Sequence, residues 1–274
     1  MTITRIVIIF CAVAMCATSG ALNAQWLNHP TPGLSRLPNG KPDLNAPAAK
    51  TADGRPDLSG IFYLEATCPA SGCNDDYQAG PEFINFGAKL PGGLPYQPWA
   101  AALVKERTAQ LYKDDPVGFC KPSGVLRLLT FPPPRKFVQM PGLFLILSER
   151  DVTFRQIFTD GRPLPVDPSP SWNGYSVGRW EGDTLVVQTE GFRDDLWLDM
   201  GGTPMTDAAK MTERILRPNY GTLEIEITVD DPKAYTRPWT VSTRQSLAVD
   251  MEMIDEFCLE NEKSYQRMQN SRGK

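Results

Sequence analysis

The chain has 274 residues, with 28 lysines and arginines against 32 acids and a formal net charge of −4. That balance argues against nucleic acid or an anionic membrane as partner, because both select for clustered Lys and Arg. The single histidine, His29, excludes Ser-His-Asp and Cys-His catalysis of the usual kind; it lies in a Pro-rich stretch and reads as a surface residue.

Met1 to Gly20 carries Arg5, the apolar run IVIIFCAVAMCA and then small residues. This is the layout of a secretory signal. Cleavage is expected after Ala24, with Ala21 as the alternative, which makes 1–24 a signal peptide and the protein secreted or periplasmic. Removal leaves 250 of the 274 residues and takes away Arg5 but no acid, so the net charge moves from −4 to −5. No later apolar run approaches the ~20 residues needed to span a bilayer, so no membrane span is expected.

Residues 25–58 read as an extended Pro-rich arm. It contains an imperfect repeat, GKPDLNAPAAKTADGRPDLSG, in which each copy runs Gly, Lys or Arg, Pro-Asp-Leu. Prolines and short polar residues favour an extended chain over a packed element. Residues 59–262 are read as one β-rich domain, a size that can bury a substantial core. Residues 263–274 form a polar tail.

After signal cleavage four cysteines remain: Cys68, Cys73, Cys120 and Cys258. An exported chain is expected to oxidise them. Three connectivities are open; CPASGC suits a small local loop, which leaves Cys120 with Cys258. A metal site is the weaker alternative, since there is no spaced second pair, and no metal or other cofactor is expected.

The segment 98–113 reads as a helix, with Pro98 in its first turn and Pro116 just beyond its end. From Arg135 the apolar period changes to two. KFVQMPGLFLILSE reads as two strands around Pro141-Gly142, followed by VTFRQIF, YSVGRW, TLVVQTE, MTERIL, TLEIEITV, RPWTVSTRQ and MEMIDEFC. With SGIFYLEA as the first, about ten strands are joined mostly by short turns. A long antiparallel meander closes or covers its edges. The predicted fold is therefore mainly β, a closed or nearly closed lipocalin-like barrel with one packed helix and the arm outside. A β-sandwich is the alternative.

Before YSVGRW the chain places four prolines, Pro163, Pro165, Pro168 and Pro170, within eight residues. Such a ramp holds Trp172 and Tyr175 in fixed places against the barrel, as a plug or as a lid. Rigid aromatics at a barrel mouth make good ligand surfaces, so Trp172, Tyr175, Trp180 and Trp197 are candidate ligand-binding residues, with core packing as the competing reading for the tryptophans. If Arg155 points inward it needs a carboxylate partner. Glu213, sharing a face with Met211 and Ile215, is the candidate. That pair is either structural or the polar end of a ligand pocket. Arg155 and Arg179 are candidate anchors for an anionic or carbonyl oxygen. Glu213, Tyr175, Glu149 and Asp160 are the candidate acid–base residues of a cofactor-independent isomerase, lyase or hydrolase. Asp194, Asp195 and Asp199 match no EF-hand spacing and read as a solvated loop.

The stretches TADGRPDLSGIF, FRQIFTDGRPLPVDPSPSWNGYSVGRWEGDTLVVQTEGF, MTERI and DDPKAYTRPWTV resemble a large family of exported bacterial proteins of unknown function. The resemblance covers roughly 44–261 and implies export but no particular activity. Many members carry histidines where this chain has Leu164, Tyr175, Arg179 and Met205, so a shared histidine-dependent mechanism is not open to it. SGIF is also similar to the opening strand of lipocalins, with Phe62 in place of their tryptophan.

Three readings of function follow. The first is a secreted or periplasmic protein that binds a small, partly apolar molecule in a barrel cavity. The second is the cofactor-independent enzyme. The third is a structural envelope module whose arm docks a partner. Oligomeric state stays open.

Overall fold

The structure, a computed structural model, describes residues 26–27, 29–67 and 80–258. The expected signal segment, the Cys68–Cys73 pair and the polar tail lie outside the described residues. In chain order the elements are β1 (Trp26–Leu27), β2 (Gly60–Leu64), α1 (Pro81–Ile84), α2 (Pro98–Ala109), α3 (Gly124–Thr130), β3 (Arg135–Met140) and β4 (Leu143–Ser148). Then come β5 (Phe154–Phe158), β6 (Tyr175–Glu181), β7 (Thr184–Glu190), β8 (Leu196–Trp197), β9 (Pro204–Met205), β10 (Lys210–Asn219), β11 (Thr222–Asp230), β12 (Trp239–Leu247) and β13 (Met251–Glu252).

Nine strands close into a barrel in the order β10-β11-β12-β2-β3-β4-β5-β6-β7, with β7 paired to β10. Side-chain alternation dictates it. In β11, Leu223, Ile225, Ile227 and Val229 are fully buried while Glu224 and Glu226 are exposed. Facing positions of β4, β5, β7 and β10, such as Phe144, Ile146, Ile157, Leu185, Val187 and Ile215, join them in one core. A closed sheet leaves no unpaired edge, so the sandwich alternative does not arise.

The barrel is not a pure antiparallel meander. β5 and β6 run parallel, and a parallel neighbour requires the chain to travel back along the barrel before pairing. Residues 159–174, the proline ramp, make that return. The ramp is largely exposed, Val166 completely so. Its prolines lack N–H groups, so an extended crossover there leaves few donors to satisfy. It lies on the barrel wall at Gly191, where an added Cβ would sit 2.7 Å from Pro168 Cγ, and the Ser171 N–H donates to Gly191 O at 3.0 Å. The ramp is thus a crossover, and it ends with Trp172 packed against the barrel core.

Two helices escape the periodicity reading. All seven residues of α3 are buried, Arg127 included through its ion pair with Asp115, and a helix buried on every side shows no amphipathic stripe. Its C-terminal carbonyls meet the buried Arg135, which donates to Leu129 O, to Phe131 O at 2.6 Å and to Gln245 Oε1 at 2.7 Å. α1 is a single short turn. The expected helix at 98–113 ends at Ala109; Leu111 is in the left-handed region at φ 54° and 84 % exposed.

The arm is not simply extended. Each repeat copy folds into a small hairpin, and the second reproduces the first fourteen residues later (Leu37 to Thr51, Gly40 to Gly54). Leu37 N–H donates to Lys41 O at 2.8 Å and Thr51 N–H to Arg55 O at 2.9 Å; Asp43 N–H donates to Ser35 O and Asp57 N–H to Ala49 O, both at 2.8 Å. Gly40 and Gly54 turn with φ of 80° and 81°, which only glycine adopts at little cost. The first copy leads into a dock on the β10–β11 turn, where Gly221 N–H donates to Leu44 O at 2.8 Å. The second is held by Arg217, which donates to Asp57 O at 2.6 Å and Ser59 O at 2.9 Å.

A disulfide joins Cys120 to Cys258 across 138 residues, fastening the end of the described chain beside α3. Opening it by reduction or by Cys120→Ser is expected to lower stability by about 2–4 kcal/mol, since the cross-link restricts the unfolded chain. Urea unfolding of oxidised and reduced protein measures this, and coincident midpoints would refute it.

Candidate functional site

Two cavities lie near opposite ends of β6. The larger, about 560 Å³, is the barrel mouth beside the β3–β4 turn. Its inner walls are core-facing side chains, Phe144 from β4, Trp180 from β6 and Leu185 from β7, with Met140 and Pro141 of the turn on one side. Gln139 and Thr159 add polar groups. The roof is the second repeat hairpin, Thr51, Ala52, Asp53 and Arg55. Gln139 ties wall to roof: its Oε1 accepts the Leu58 N–H at 2.9 Å, and its own N–H donates to Ser59 Oγ at 3.1 Å. Arg55 lies over the Trp180 ring at 5.5 Å, and its Nε is 3.4 Å from Asp53 Oδ2. The Thr51 hydroxyl donates to Asp53 and, with the Arg55 charge, holds that carboxyl below its usual range.

The smaller cavity, about 440 Å³, is a cleft between β5 and β6 lined by Phe154, Arg155, Trp172, Asn173, Tyr175 and Ser176 among others. Behind it Arg155 and Glu213 meet, 1 % and 0 % exposed. Arg155 Nη1 donates to Glu213 Oε1 at 2.9 Å and Nη2 to Oε2 at 2.5 Å. The same guanidinium donates to Ser176 Oγ and Thr189 Oγ1. Inward alternation from four strands thus gathers one closed polar cluster. Glu213 lies outside the linings of both cavities, with both oxygens held by Arg155.

The other sequence candidates are scattered. Trp172 is half-buried under Arg193, whose guanidinium sits 4.8 Å from the ring centre, while Trp180 stands in the opposite mouth. Tyr175 faces outward from β6, stacked on Phe158 with centroids 5.3 Å apart. Arg179 also faces outward, paired with Glu181 at 3.0 Å. Trp197 is buried in β8 beneath Arg107, far from a mouth platform in its contacts. Glu149 is buried where β4 ends, its N–H donating to Pro134 O at 3.2 Å. Asp160 is a surface turn residue; hydrogen bonds from Arg162 hold its carboxyl below the usual range. The three-acid loop is not uniformly solvated. Asp199 is fully buried, accepting from Phe86 N–H at 2.8 Å and Thr203 Oγ1 at 2.7 Å, and burial raises its pKa.

The residues that line the mouth were not singled out by sequence, apart from Trp180. Arg55 belongs to the repeated Gly-Arg-Pro-Asp-Leu unit, and the repeat was the available signal. Gln139 and Thr159 differ in nothing from ordinary strand and loop residues. Among the described residues no group of His, Cys, Asp and Glu suits a metal ion, and no helix is long and apolar enough to cross a membrane. No family model matches the chain, nor does any curated protein or solved structure.

Replacing Glu213 by Gln leaves a buried guanidinium without its counter-charge, and the expected loss of stability is about 3–5 kcal/mol. The double change Arg155→Leu with Glu213→Leu removes both charges and is expected to restore most of it. Chemical denaturation of the three proteins checks this; a double variant no better than the single one would count against it.

Proposed function

We propose that the protein is exported and binds a small, partly apolar molecule in the roofed barrel mouth. The observation that carries the reading is the mouth itself, a concave space of about 560 Å³ with aromatic and aliphatic inner walls and a few polar groups at its rim. Sites for small molecules have this composition and size. A ring-sized body that buried about 150 Å² of apolar surface there would gain roughly 4 kcal/mol before the cost of association. The wall is rigid because Phe144 and Leu185 belong to the barrel core. Export is supported by the Cys120–Cys258 disulfide, a cross-link of oxidising compartments, and by the resemblance of the central motif to exported bacterial proteins.

The test compares purified, oxidised protein with a Thr159→Phe variant, which fills the mouth, and a Trp172→Phe variant, which alters the other end of β6. Each is incubated with a metabolite extract, and retained compounds are identified by mass spectrometry. The native chain and Trp172→Phe are expected to retain the same compound, and Thr159→Phe to lose at least tenfold of it. Retention that ignores Thr159→Phe, or no retention by the native chain, would overturn the reading.

A further inference from the structure

The mouth is not electrically featureless, and its rim restricts what can enter. Of its lining residues only Arg55 and Asp53 carry charge. Asp53 is held on one side, its Oδ1 accepting from the Thr51 hydroxyl and its Oδ2 lying against Arg55 Nε, and its side chain is 57 % exposed. Arg55 is engaged on that one side alone. Its two Nη groups have no protein partner among the described residues, and its side chain is 46 % exposed.

Gln139 adds a second donor. The backbone N–H of Leu58 needs an acceptor, so Oε1 of Gln139 is the atom that faces it. That fixes the orientation of the amide; its Nε2 has no protein acceptor among the described residues, and Gln139 lines the cavity. The rim therefore offers the Nη donors of Arg55 and Nε2 of Gln139. The guanidinium carbon also sits 5.5 Å from the centre of the Trp180 ring, a contact that helps position its planar fork and lowers the entropy lost when a planar anion is met. Below it the walls are Trp180, Phe144 and Leu185.

From this we infer that the ligand is a small organic acid with an apolar body: the body lies against Trp180 and Phe144, and the carboxylate is received by the free Nη groups of Arg55 with Gln139 Nε2 beside them. The inference rests on the mouth being the binding site and names the chemical class that site takes. The second repeat copy is then a recognition element as well as a roof. The first copy has Lys41 at the equivalent position, a point charge without a fork, and it lines no part of the mouth.

Isothermal titration with three probes of one shape tests it: 4-phenylbutyrate, 4-phenylbutan-1-ol and 4-phenylbutylammonium. The acid is expected to bind about tenfold more tightly than the alcohol at low ionic strength, the ammonium ion more weakly than either, and the advantage of the acid to shrink as salt is added. In Arg55→Gln the ratio of acid to alcohol affinity should fall to near one; Arg55 is half-exposed, so the fold survives the change. Equal binding of acid and alcohol by the native protein, or a ratio unaltered by Arg55→Gln, would overturn the assignment of class while leaving the mouth as a binding site. Failure of all three probes to bind would overturn the mouth itself, and with it the function proposed above.

Discussion

The barrel depends on closing its weakest seam. β5 and β6 are joined by only two residue pairs, Ile157 with Ser176 and Phe158 with Val177. β10 and β11, by contrast, are paired along almost their whole length. So short a ladder contributes little, and the deficit is met by side chains. The Arg155 guanidinium reaches from β5 to Ser176 on β6, Thr189 on β7 and Glu213 on β10. A fork with five donors suits that task, since it can satisfy several acceptors on different strands at once. Burial makes the cluster demanding: a buried cation without its partner is costly, so the four strands must assemble together. The polar interior thus specifies which strands are neighbours, something an all-apolar interior would leave to shape alone.

Much of this was legible because β-structure writes itself in a period of two. The alternation in MTERIL and TLEIEITV placed Glu213 and Met211 on one face, and the parity of VTFRQIF grouped Arg155 with Ile157, so the pair was available if that face turned inward, as it does. The same logic fails where parity is absent. The helix GVLRLLT is buried on all sides, its one arginine included, and offers no period. The direction of β6 relative to β5 was hidden as well, because a proline-rich connector looks the same whether it turns back or crosses over. Reading the ramp as a platform grouped Trp172 with Trp180, and the length of β6 between them sends them to opposite ends. Asp199 looked solvated because its neighbours are acidic, yet its carboxylate caps backbone groups inside the fold.

The two copies of the repeat show why a local motif need not have a single role. Their backbones make the same turns and the same hydrogen bonds. What differs is where each lands. The first leads to the β10–β11 turn, where Gly221 lets Leu44 approach within a distance no Cβ would allow. The second meets Gln139 and Arg217 and comes to rest over an open barrel end. Leu58 in the second copy is fully buried, while Leu44 in the first is 37 % exposed. The sequence unit encodes a shape, and the surface beneath assigns its use.

The Cys120–Cys258 bond spans the proline crossover. That crossover contains the most exposed apolar side chain described, Val166, and loop tips of this kind are where proteases first cut. A cut there would separate β5 from β6 in the chain, yet the two pieces would stay joined covalently through the sulfurs and non-covalently through every other barrel pairing. Nicked molecules would therefore persist as two-chain barrels, indistinguishable from intact ones by size until the chain is both reduced and unfolded.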